Sequence, residues 1–153
     1  MTPEPATTPE QRRAQAIVRE MMARDAFSQW LGIEVLHVAP GTAAIRMTVR
    51  PEMVNGFGRT HGGITYSFAD SAFAFAANGH GRVSVSIDSQ IAHTQEVRVG
   101  DVLEAIATEE QVTERLGFYR VQVTCRGTPV ALFRGTVYRT RDEHPDASTS
   151  PSP

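Results

Sequence analysis

The sequence predicts an α+β domain in which a mainly antiparallel sheet packs one face against a single long, apolar helix. Three observations predict it. Helical spacing of apolar residues occurs in only two places, near the N-terminus and over residues 62 to about 77. Elsewhere the period changes to two, in six strand-like runs. The order is helix, two strands, long helix, four strands, with turn signals between neighbouring strands.

Taken in order, residues 1–9 hold three prolines and read as a tail. Residues 10–24 put Ala14, Ile17, Val18, Met21 and Met22 on one helical face. Asp25 can cap a short turn, AFSQWL, that Gly32 ends, so the N-terminal helical segment spans 10–31. Strands follow at 33–38 and 42–50, joined through Ala39-Pro40-Gly41. In the second, Ala43, Ile45, Met47 and Val49 alternate with Ala44, Arg46, Thr48 and Arg50. A loop at 51–61 leads into the long helix. Four further runs, near 82–92, 101–113, 116–126 and 129–140, complete the sheet, with a hairpin turn at Arg126-Gly127-Thr128-Pro129. The domain therefore spans 10–140, and residues 141–153, polar and proline-rich, read as a second tail.

Bulk properties narrow the function classes. A chain of 153 residues fits one domain with one core. A net charge of −2 argues against a broad electrostatic surface for nucleic acid or anionic membrane. Cys125 is the only cysteine, which excludes an intrachain disulfide and a cysteine-clustered metal site and suits the cytoplasm. The first ten residues lack the basic start and apolar core of a signal peptide, and no apolar run reaches the length of a membrane span. The five histidines show no metal-ligand spacing, and no phosphate loop or dinucleotide fingerprint is present. The expectation is a soluble, cytoplasmic protein without metal or cofactor.

Chemistry concentrates in NGFGRTHGGITYSFADSAFAFAANG, residues 55–79. Asp70 is the single carboxylate of the apolar helix. A charge left unpaired there costs several kcal/mol, so Asp70 is held by dedicated partners, lies partly exposed at a subunit contact, or is kept as a base or nucleophile. Ahead of it, Thr60 can cap the helix while the glycines permit a tight entry. Alternatively, the glycines expose N–H groups at the positive helix end, an oxyanion hole for a carbonyl. His61 can orient substrate or loop, and Asn55 can form a turn or present its amide. Gly63, Tyr66, Ser67, Phe73, Ala74 and Ala77 share the face of Asp70, with Phe68, Ala72 and Phe75 opposite. With both faces apolar, the helix should be buried nearly all round, and a second copy is the simplest cover for the side away from the sheet.

The strings N-G-F-G-R-T-H-G-G and F-A-D-S-A-F-A-F-A-A-N resemble the PaaI-type hotdog-fold thioesterases, and the likeness extends over roughly residues 12–140, through VRVGDVL to ALFRGTVYRT. The resemblance implies a single hotdog domain that hydrolyses phenylacetyl-CoA or related aryl- and acyl-CoA esters as a homodimer or homotetramer. By position, Asp70 becomes the catalytic carboxylate, Gly62 the oxyanion N–H donor, and Asn55 and His61 accessory polar groups. Gly63, Phe57, Tyr66 and Phe73 are expected around the acyl group. Arg82, with Arg59, Arg98 and Arg126, is a candidate for the CoA phosphates. Phe57 and Thr60 stand where close relatives carry His and often Cys. AHTQEVRVGD replaces an aromatic-proline segment, a departure that concerns the acyl group. A hydroxyacyl-thioester dehydratase on the same fold is disfavoured, because no His and acidic pair marks the helix. A non-catalytic acyl-CoA binding protein is the alternative of another class. Independently of any family, Gly62 and Asp70 lie about 12 Å apart along one helix, too far to serve one thioester carbon. Two helices packed antiparallel about a two-fold axis would bring Gly62 of one chain to Asp70 of the other.

Overall fold

A computed structural model describes residues 6–145. Helix α1 (Pro9–Arg24) begins on a Thr8 N-cap whose hydroxyl accepts from the Gln11 N–H at 3.1 Å, with Pro9 in the first turn. Helix α2 (Ala26–Leu31) is capped by Asp25, which accepts from the Ser28 N–H at 2.9 Å, and ends at Gly32 with φ 75°. Strands β1 (Glu34–Ala39) and β2 (Thr42–Thr48) form a hairpin. A short 3-10 turn at Pro51–Met53 and a loop lead into α3 (Gly62–Asn78). Then come β3 (Arg82–His93), β4 (Val102–Val112), β5 (Leu116–Cys125) and β6 (Thr128–Glu143).

All six strands pair antiparallel in the order β1-β2-β4-β5-β6-β3, and the sheet is not closed, so β1 and β3 are its edges. The sheet wraps α3. Ala43, Ile45 and Met47 of β2 point inward, as their alternation predicts, beside Ala105 and Ala107 of β4, Val121 and Val123 of β5, and Phe133 and Val137 of β6. From α3 they meet Phe68, Ala72, Phe73, Phe75 and Ala76, each 1% exposed or less. An isolated helix of this length is marginal in water. Burying its three phenylalanines, at about 1.5–3 kcal/mol each, is what holds it helical. The sheet comes close enough that a Cβ on Gly135 of β6 would lie 2.7 Å from Phe73 Cζ. No helix of the described residues is long and apolar enough to cross a membrane.

Within one chain the sheet leaves one side of α3, the side for which a second copy is the expected cover, only partly buried: Gly63 is exposed, and Tyr66, Ser67, Asp70, Ser71 and Ala74 are half-buried along one stripe. The tail expected from residue 141 starts later, because β6 continues to Glu143 and the His144 N–H bonds Gly81 O at 2.8 Å. Likewise Pro9 begins α1 and Thr8 caps it. The outer parts of both expected tails, residues 1–5 and 146–153, lie outside the described residues.

The turn after α3 is fixed by Asn78, which is buried. Its amide donates to Ala74 O and Ser84 O, and its oxygen accepts from the Ser84 N–H at 3.0 Å. That clamp sends β3 back along α3, so the start of the strand lies by the helix C-terminus and its end by the helix N-terminus.

Candidate active site

The N-terminus of α3 is built by the loop before it. Asn55 Oδ1 accepts from the N–H groups of Phe57 and Arg59, at 2.9 and 3.2 Å, and the Asn55 N–H bonds Arg59 O at 2.7 Å. The Asn55 side-chain oxygen is thus committed to the turn, and Phe57 is left at its tip, 88% exposed. Thr60 and His61 are then tied down through Thr60 N–H to Val97 O and His61 N–H to Met53 O, both at 2.8 Å.

The helix cap is His61, not Thr60. His61 Nδ1 accepts from the Gly63 N–H at 3.0 Å, while the Thr60 hydroxyl is buried and has no partner among the described residues. His61 stands at the cap position and reaches forward two residues to the Gly63 N–H, whereas Thr60 stands one position before the cap. In consequence the glycines do not expose equivalent donors. Gly63 is occupied by the cap and Ile64 donates to His61 O at 2.9 Å, whereas the Gly62 N–H has no partner among the described residues. One free N–H at the positive end of a 17-residue helix remains.

Asp70 lies two turns further along, on the half-buried stripe. It has no hydrogen-bond or ion-pair partner among the described residues, and burial pushes its carboxyl above the ordinary aspartate value. Ser71 beside it is held to α2, its hydroxyl 2.9 Å from that of Ser28, which in turn donates to Asp25. A carboxylate kept without partners but within reach of solvent is suited to take a proton or attack an electrophile.

The remaining expected site residues scatter. Tyr66, half-buried on the stripe, hydrogen-bonds Ser89 of β3 and sets its ring edge-on to Phe133. Phe73 is 1% exposed, packed against Tyr119 and Phe133, so it underlies the helix instead of facing an open acyl pocket. The side chain points into the sheet because it falls on the buried flank of the helix. Arg82 begins β3 and donates to Glu114 O at 2.6 Å, by the C-terminus of α3, a whole strand away from Gly62 of its own chain. Arg59 and Arg98 both pair with Glu96, and Arg126 with Asp101.

His93 carries no motif, and a reading by spacing passes over it. The ring sits against the N-terminus of α3, where a Cβ on Gly62 would be 3.2 Å from its Nε2. Length arithmetic is the signal that finds it. A 17-residue helix is about 26 Å long, and a strand returning along it regains the helix start after roughly eight or more residues. Around this junction is a cavity of about 250 Å³ lined by Thr60, Gly62, Thr65, His93, Gln95 and Glu96, among others. A larger depression, lined by Ile106, Arg120, Gln122, Leu132 and Arg134, uses side chains that alternate with the buried ones and so lies on the sheet face away from α3.

Comparison with known proteins finds thioesterases. The family model described as "Thioesterase superfamily" matches residues 57–132, from the loop before α3 into β6. The acyl-coenzyme A thioesterase PaaI of Escherichia coli K12 is 36% identical over 120 residues, covering 78% of this chain and 86% of that protein. The solved structure of the E. coli PaaI protein from the phenylacetic acid degradation operon superposes with a TM-score of 0.85 at 32% identity, covering 87% of this chain and 97% of that one. A variant of the phenylacetic acid degradation protein PaaI from Thermus thermophilus superposes with a TM-score of 0.74 at 40% identity, over 76% of this chain and 100% of that one.

Proposed function

The chain belongs to the hotdog-fold thioesterase superfamily and is a thioester hydrolase, and from that premise we propose that it hydrolyses acyl-CoA esters with Asp70 and Gly62 as the reacting site. Asp70 deprotonates the attacking water or itself forms a mixed anhydride, the Gly62 N–H holds the oxygen of the tetrahedral intermediate, and CoA leaves as its thiolate. Water supplies the oxygen of the free acid, and its two protons end on the products. The observation that carries this reading is the pairing of an unpartnered, half-buried carboxylate with an unpartnered helix-terminal N–H on one helix.

Their separation of about 12 Å along α3 calls for two chains. A two-fold axis that sets the uncovered stripe of α3 against its copy brings Gly62 of one protomer to Asp70 of the other, as a homodimer or a dimer of dimers. The long β3 edge, with Val85 and Ile87 about half exposed, supplies further surface for such an association. His61 holds the Gly63 N–H and so leaves Gly62 as the donor, Asn55 shapes the loop, and Gly63, Tyr66 and Phe57 border the acyl group. Phenylacetyl-CoA and medium-chain esters are the proposed substrates, supported by the names of the PaaI relatives and by these aromatic rings. Arg82, with the paired arginines, is the candidate contact for the CoA phosphates.

Thiol release over a panel of acetyl-, hexanoyl-, palmitoyl- and phenylacetyl-CoA tests the reading. Turnover strongest on phenylacetyl- or hexanoyl-CoA, and lost in Asp70→Asn, is expected. Binding of the esters without thiol release would instead make the protein an acyl-CoA carrier.

A further inference from the structure

His93 stands beside Gly62, the proposed carbonyl donor, and its placement does not depend on a second chain. The clamp at Asn78 directs β3 along α3, and His93, the last residue of β3, ends at the helix N-terminus. Its backbone is held on both sides: it pairs with Ala131 of β6, and the Thr94 N–H bonds Val130 O at 2.9 Å. The ring is exposed, has no hydrogen-bond partner among the described residues, and borders Gly62 so closely that a Cβ there would be 3.2 Å from Nε2 and 3.6 Å from Cε1. A methyl group on Gly62 would therefore crowd the imidazole beside that N–H. The cavity beside them is also lined by Thr60, whose buried hydroxyl has no partner among the described residues.

We propose that His93 is a second donor to the thioester oxygen. Its Nε2–H and the Gly62 N–H take the same oxygen, and both bonds strengthen as that oxygen gains negative charge in the tetrahedral intermediate. No proton is transferred: the imidazole keeps its hydrogen and the oxygen collapses back to a carbonyl as the thiolate leaves. This rests on the thioesterase reading above and adds to it a residue on the Gly62 side of the site. Interactions made mainly in the transition state act on kcat and leave KM nearly unchanged.

The test is steady-state thiol release by His93→Ala and His93→Gln, with phenylacetyl-CoA and hexanoyl-CoA, beside Asp70→Asn. Because the ring is exposed and unpartnered, both His93 variants should keep the wild-type Tm. His93→Ala is expected to lose about 10- to 100-fold in kcat on both esters, with KM within about twofold. His93→Gln, whose amide N–H reaches a similar point, should recover severalfold of that loss. A kcat for His93→Ala within about twofold of wild type, a change confined to KM, or no recovery in His93→Gln overturns the assignment. If Asp70→Asn is inactive in those cases, only the role of His93 falls. If Asp70→Asn is also active, the site reading falls and the role of His93 with it.

Discussion

Gly135→Ala measures how closely the sheet approaches α3. Gly135 lies on β6 between Tyr119 of β5 and Ser89 of β3. A methyl group there would sit 2.7 Å from Phe73 Cζ, 2.8 Å from Phe73 Cε1 and 2.9 Å from Phe133 Cε1. Both rings are 1% exposed, so neither can swing into solvent to make room. Overpacking of this kind costs about 1–3 kcal/mol. For a chain of this size each kcal/mol lowers Tm by about 2–4 °C, so a fall of roughly 2–12 °C is expected. Phe73→Leu alone is also destabilising, because it shortens a core side chain. The double variant should be more stable than the sum of the two losses by about 0.5–3 kcal/mol, since the new methyl occupies space that the ring has vacated. Urea and thermal unfolding of wild type, both single variants and the double variant, at one protein concentration, gives the cycle. A stability for Gly135→Ala within about 0.5 kcal/mol of wild type, or strict additivity, would refute the close approach.

Asp70→Asn should lower kcat about 100-fold or more. Burial raises the Asp70 carboxyl above its ordinary value of 3.8 and a base acts only when ionised, so wild-type kcat should climb with pH through that raised value; a limb at or below 3.8 would contradict it. Stability follows the same group with a definite sign: the folded state binds more protons between 3.8 and the raised value, so the wild type loses stability as pH rises through that window. Asp70→Asn should therefore gain Tm relative to wild type at neutral pH but not at pH near 3, and an equal gain at both would count against a desolvated carboxylate. His61→Ala should cost about 1 kcal/mol in urea unfolding through loss of the helix cap, and His61→Asn, a good capping residue, should restore most of it. Gly62→Ala should leave Tm nearly unchanged while it lowers kcat, because its Cβ meets the exposed His93 ring and not the core; unchanged kcat would show that the ring and the N–H do not share a ligand.

Much of the fold is legible in the sequence because burial imposes periods on it. Ile45 and Met47 face inward as their alternation requires, Asp25 and Gly32 bound α2, and α3 ends at Asn78, before the glycine turn. The end of β6 is not legible. Arg141, Asp142 and Glu143 are exposed on both faces, and pairing with Arg82 at the start of β3 extends the strand through backbone bonds that leave no side-chain pattern. Capping by His61 is missed for a related reason, since threonine is the usual cap and only the fold shows which side chain reaches the Gly63 N–H. At the site, Asp70 and the glycines stand out because a carboxylate and four glycines interrupt apolar or turn sequence. Phe73 reads as a pocket residue from its nearness to Asp70, yet it sits on the flank of that face where the sheet closes over it, 1% exposed against Tyr119 and Phe133. His93 is 31 residues from Gly62, and only the antiparallel return of β3 joins them.

The proposal that two chains share one site is tested most directly by mixing two dead variants. Asp70→Asn removes the carboxylate. Gly62→Pro removes the N–H at a position in the first helical turn where proline is tolerated, and His61 before it, at φ −60° and ψ 133°, already has the backbone a following proline requires. Each variant must first be shown to fold and to associate by itself. Every homodimer then has two broken sites, whereas a mixed dimer has one site with both defects and one with none. Random remixing after joint refolding makes half of the dimers mixed, so about a quarter of wild-type thiol release should return. Verified mixed dimers with no recovered activity would mean that Gly62 and Asp70 do not meet across a two-fold axis.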